Sequence, residues 1–222
     1  MKTLKTLFPV YWQLISSNEG IIIITGILAV VFYDSFYLWA IRFIPEHSVQ
    51  LFIFAGILWL FIFPFLVNRF TLRIPYKELG GSLGLIRCWW KWLIFFLILG
   101  IGWAYFVSRD PSYRSFYPMF PAARTSLTQF FYYQCLVALY MYSWEYFCRG
   151  FLLFGLKRKW GRYAILIQLI IFTLLHKGKP EYLVSIVGGL GMGIFAYEAG
   201  TFLPVFLLHF ITALFLDIFC II

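Results

Sequence analysis

Apolar stretches about as long as a bilayer is thick recur along this chain, and they limit its fold more than any other feature. "IIIITGILAVVFYDSFYLWA" (21–40) contains one formally charged residue, Asp34, and "FLPVFLLHFITALFLDIFCII" (202–222) contains only His209 and Asp217 as polar ionisable groups. A helix rises ~1.5 Å per residue, so about 20 such residues cross a hydrocarbon core ~30 Å thick. The whole chain is 12% charged, where a soluble domain carries about 25%. Cutting the apolar runs at their polar punctuation places spans near 21–44, 49–68, 92–107, 126–156, 162–176, 182–198 and 202–222. The expectation is an all-α, polytopic integral membrane bundle of about seven transmembrane helices. It forms one membrane domain over 1–222, without linker or internal repeat.

Between the second and third spans lies "NRFTLRIPYKELGGSLGLIRCWWKW" (68–92), basic and aromatic, which suits an amphipathic segment in the interface. "SRDPSYRSFYPMFPAARTS" (108–126) has three prolines and is expected to be an extramembrane loop. Residues 1–15 carry no small-residue cleavage site, so the first span should be retained. The net charge of +9 would suggest nucleic acid in a soluble protein; here basic residues in short loops set orientation instead. Lys2, Lys5, Arg69, Arg73, Lys77, Arg87, Lys91, Lys157, Arg158, Lys159 and Arg162 fall on one side. Arg42, Arg109, Arg114, Arg124, Lys177 and Lys179 fall on the other. The positive-inside rule then puts the N-terminus in the cytoplasm and the C-terminus outside, in a multi-pass protein of the cell membrane. Cys88, Cys135, Cys148 and Cys220 have neither disulfide-framework nor zinc-site spacing and read as packing residues.

Polar groups inside the spans carry the functional signal. "SWEYFCRG" (143–150) places Glu145 and Arg149 at i and i+4, on one helix face. A paired charge costs less than a lone one, yet each still costs several kcal/mol near the bilayer centre, and such residues are functional by default. His176 closes "FTLLH" (172–176), and His209 lies within the last span. By helical rise, Glu145 is roughly 18 Å from Lys157, His176 roughly 21 Å from Arg162, and His209 roughly 13 Å from Gly200. All three therefore fall in one slab of the membrane, as a single buried polar pocket would require. A carboxylate and two imidazoles can activate water and stabilise an oxyanion. The same trio could hold zinc with water as fourth ligand, although no HExxH is present. Cys148 points about 60° from Glu145 on the helical wheel and makes a poor nucleophile candidate.

"EYFCRG" followed by "FTLLH" and "LPVFLLH" (203–209) resembles the CPBP family, also called Abi. These are intramembrane glutamic proteases related to type II CaaX-processing endopeptidases. The resemblance covers roughly 126–222, the catalytic-motif helices. It implies Glu145 as base, kept ionised by Arg149, with His176 sharing water activation and His209 in the oxyanion hole. Two departures stand out: Trp144 replaces the family's first glutamate, and Ala213 replaces the asparagine of the third motif. The form with Trp-Glu and a following "GKPE" (178–181) resembles a recurring variant. Glu181 is a reserve carboxylate near His176. Asp217, about 80° around the helix from His209, either substitutes for the missing amide or sits at the outer interface. The glycines of "VGGLGMGIF" allow close helix approach or passage of a substrate backbone. Glu198 reads as solvated; Asp34 either faces the cavity or pairs with a basic residue.

The resemblance implies an intramembrane endopeptidase that hydrolyses a peptide bond of a membrane-associated protein or prepeptide. Its partners are that substrate and the lipid bilayer, with no nucleic acid and no cofactor. A catalytically silent membrane scaffold with the same helical frame is the alternative, and a zinc-dependent protease ranks third.

Overall fold

The computed structural model describes Gln13 and residues 15–222; Lys2 and Lys5 lie outside the described residues. These are 80% helical and contain no strand. Ser17 caps α1 (Asn18–Ala40), its hydroxyl accepting from Gly20 N at 3.1 Å. A near-immediate return gives α2 (Pro45–Leu72), which holds two π-helical turns, Leu58–Ile62 and Asn68–Leu72. α2 stops where Arg73 turns left-handed (φ 55°) and the Asn68 amide clasps the backbone of Ile74 from both sides. α3 is Ile86–Val107, and α4 is a short piece, Pro111–Phe116, capped by Asp110. α5 begins as Leu127–Glu145, widens into the π-helical Tyr146–Phe154 and closes as Gly155–Trp160. α6 (Tyr163–Leu175), α7 (Val184–Ala199) and α8 (Leu203–Ile221) complete the bundle.

Each expected span holds a helix, and four among the described residues are long and apolar enough to cross a membrane: α1, α2, α3 and α8. α6 and α7 are shorter apolar helices, and α5 is interrupted by Glu145 and Arg149. The loops alternate as successive antiparallel helices require. The Gly80 carbonyl accepts from Phe202 N, Glu78 lies 3.4 Å from Arg158, and Glu19 lies 3.3 Å from Lys159, all at one end. At the other end Tyr117 meets Glu181.

Three local expectations change. Residues 73–85, part of the expected interfacial amphipathic segment, form an irregular loop that sends Ile74 and Leu79 into the core. Two positive-φ glycines, Gly80 and Gly84, make its turns. The proline-rich 108–126 segment is not a free loop, because it folds as α4 and a short 3-10 turn that buries Tyr113 and Ala123. Of the cysteines, Cys148 and Cys220 are packed inside, whereas Cys88 and Cys135 are exposed.

Burial is centred on α5. Residues 143–156 are buried without a break, so this helix is covered on every face by α1, α2, α6, α7 and α8. A helix enclosed in this way can hold charge, since neighbours rather than lipid surround it. α3 is its opposite: only Trp89 and Ala104 are buried, and Phe106 is 80% exposed. Apolar surface of that extent suits lipid contact.

Candidate active site

Four of the sequence-predicted residues meet in the bundle. Glu145 and Arg149 have no exposed side-chain surface. Arg149 Nη1 lies 2.9 Å from Glu145 Oε2 and 3.1 Å from Oε1. Its Nη2 donates to the Gly189 carbonyl at 3.3 Å, and the guanidinium stacks 4.1 Å over the Phe172 ring. Glycine at 189 permits this, because a Cβ there would come within 2.6 Å of Phe172.

His209 Nδ1 lies 2.6 Å from Glu145 Oε1. A carboxylate only accepts, so Nδ1 carries the proton and Nε2 is left with a lone pair in the neutral ring. His176 caps α6, and its Nδ1 donates to the Phe172 carbonyl at 2.8 Å. That also leaves Nε2 as the acceptor. The two imidazoles lie nearly parallel, with centroids 6.4 Å apart.

Both histidines line a cavity of about 80 Å³, with Trp144, Lys179, Glu181 and Ala213 also in its wall. Glu145 is not in that wall. It stands behind His209, sealed by Arg149, while Trp144 presents its ring to the cavity and meets His176 edge-on at 5.0 Å. A larger apolar groove of about 450 Å³ adjoins and shares His176, His209 and Glu181. It runs between α3, α7 and α8, and exposed Val187 lies in its wall. Gly188 and Gly191 line this groove, whereas Gly189 and Gly193 press against α6. The glycine-rich run therefore packs closely against α6 at two positions and lines the groove at two others.

Residues 125–215 match the family model for type II CAAX prenyl endopeptidase Rce1-like proteins. The match supports a membrane endopeptidase, membrane-embedded and acting on protein or peptide substrates. No match to the chain was found among curated proteins or among solved structures. All of the cluster just described lies inside the Rce1-like segment; α1 to α4 lie outside it.

The supporting residues divide. Glu181 belongs to the cavity, its Oε1 accepting from Tyr117 at 2.6 Å. Burial beside that carboxylate pushes the Tyr117 phenol well above its usual range. Asp217 is 2% exposed and accepts from Gln134 at 2.8 Å in a separate small cavity of about 40 Å³. It is thus neither an outer-interface residue nor a partner of His209, because eight residues of helical rise carry it ~12 Å along α8. Asp34 is exposed on α1, and Glu198, at the surface, lies 3.8 Å from Arg162. Among the described residues no group of three or more His, Cys, Asp or Glu is placed to hold a metal ion.

Lys179 escaped the sequence reading except as a loop charge. Its ammonium sits 4.5 Å over Trp144 and within 6 Å of the Phe52 and Tyr140 rings. The available signal was the cation in "GKPE", three residues after His176.

Proposed function

We propose that this protein is an intramembrane endopeptidase of the cell membrane in which an imidazole, backed by Glu145, activates the water. The observation that carries this is the 2.6 Å contact from His209 Nδ1 to a carboxylate with no exposed surface. Glu145 fixes the His209 tautomer and stabilises the imidazolium that forms when Nε2 takes a proton. Arg149 keeps Glu145 ionised, since a lone buried carboxylate would otherwise neutralise itself by protonation. His176 Nε2 accepts from the same water and helps aim it. Relative to the roles implied by the resemblance, the base moves from Glu145 to His209, and His209 leaves the oxyanion hole.

The substrate reaches the cavity along the apolar groove, and the exposed Val187 in its wall would let an extended, membrane-inserted segment of a protein or prepeptide enter from lipid. The competing reading, a silent scaffold, draws on Trp144, which fills the place of the family's first glutamate.

The test compares protein termini in membranes from cells expressing the native chain, His209→Gln or Glu145→Gln. New termini should appear with the native chain and vanish with His209→Gln, a change of ~10²-fold or more in rate. Identical termini from all three, with each variant present at native abundance, would leave only the scaffold.

A further inference from the structure

The oxyanion requires a donor, and of the neutral groups in the cavity wall the Trp144 indole N–H is buried without a partner among the described residues but brings no positive charge. Residue 213, where the family pattern has asparagine, is alanine and has nothing to donate. Both imidazole Nδ1 protons are committed, one to Glu145 and one to the Phe172 carbonyl. Tyr117 spends its proton on Glu181, and the Tyr140 hydroxyl is bonded to Tyr33.

Among the described residues, Lys179 is the only lysine or arginine in the wall of the catalytic cavity. It lines the same two cavities as Ala213. Among the described residues its ammonium has no hydrogen-bond acceptor and no carboxylate within ion-pairing distance. Glu181, the one carboxylate in that wall, takes its hydrogen bond from Tyr117 instead. Three aromatic faces hold the cation through their quadrupoles, which fixes its place without neutralising it. Trp144 is the nearest of the three, so the tryptophan at the first-glutamate position keeps the lysine free of a partner. A glutamate there would pair with it.

We propose that Lys179 is a catalytic residue of this site, its ammonium stabilising the oxyanion in place of the amide that Ala213 lacks. The proposal rests on the endopeptidase reading above. Water adds to the scissile carbonyl carbon as His209 Nε2 takes its proton. The carbonyl π pair moves onto oxygen, beside the Lys179 ammonium. Collapse re-forms the carbonyl and breaks the C–N bond, and the imidazolium gives its proton to the leaving amine. Burial lowers the Lys179 pKa from its ordinary value, with Glu181 opposing; a more acidic ammonium is a stronger hydrogen-bond donor to a developing anion.

The experiment uses purified full-length protein in nanodiscs and a quenched-fluorescent peptide carrying the cleavage sequence obtained from the membrane comparison. Lys179→Met should lower kcat about 100- to 1000-fold, with KM within about threefold. Ala213→Asn added to Lys179→Met should recover at least about tenfold of that loss, which a merely structural lysine would not permit. Should Lys179→Met fail to fold, the same split is read on Lys179→Gln. A native kcat in the folded variant overturns the proposal. So does a raised KM with native kcat that depends on a free peptide carboxylate, because the lysine would then be docking a permanent anion. Cleavage by the native chain that survives His209→Gln instead overturns the endopeptidase mechanism itself, whatever Lys179 does.

Discussion

α5 and α3 are both long apolar helices, and they spend their hydrophobicity in opposite ways. Residues 143–156 of α5 are buried one after another and enclose a glutamate and an arginine. α3 carries no acidic or basic residue after Lys91 and turns most of its side chains outward. Ionised groups in a membrane protein must be surrounded by other protein, whereas lipid-facing helices can be held by modest packing. The matched 125–215 segment contributes the enclosed part, and much of the remainder provides walls.

Three tests probe this contrast, ordered by the largest effect each expects. Arg149→Met removes the cation from a buried ion pair and leaves Glu145 to take up a proton in the interior; it should cost ~3–5 kcal/mol, read as thermal unfolding in detergent. Arg158→Met removes a cation that is 62% exposed and should cost about 0.5 kcal/mol or less. Equal losses would mean that the Glu145 cluster is as hydrated as the surface.

Next come the two faces of α7. At Gly189 a Cβ would meet Phe172 at 2.6 Å, and Phe172 is itself held between Arg149 and His176. Gly189→Ala should therefore cost ~1–3 kcal/mol by overpacking. At Gly191 nothing lies within 4 Å, so Gly191→Ala should be neutral or gain up to ~1 kcal/mol from helix propensity. Parity between the two would show that α6 and α7 are not pressed together at Gly189.

The smallest effect belongs to α3. Ile98 is 66% exposed, so Ile98→Ala should change stability by less than ~0.5 kcal/mol in the same thermal assay. A loss of several kcal/mol would mean that this face is covered by a partner.

Much of the fold was legible in the chain. Apolar length gave a helix for each expected span, and helical rise put Glu145, His176 and His209 at one depth. Equal depth allows them to meet in one bundle, and His209 does touch Glu145 while the His176 ring lies 6.4 Å from that of His209. The 73–85 loop was less legible. Its basic and aromatic residues look amphipathic, but Gly80, Gly84 and the Asn68 clasp favour turns over a helix.

What the sequence settled by itself was the class: an all-helical membrane protein with ionisable groups gathered in its second half, because period and hydropathy are local properties. Which groups face the cavity was decided only by tertiary packing. Rotation of α5 and the seal made by Arg149 and His209 place Trp144 in the cavity wall and Glu145 behind it. Lys179 joins them only because aromatic rings from α2 and α5 converge on its loop. Such arrangements depend on distances between residues remote in the chain, and no local pattern encodes them.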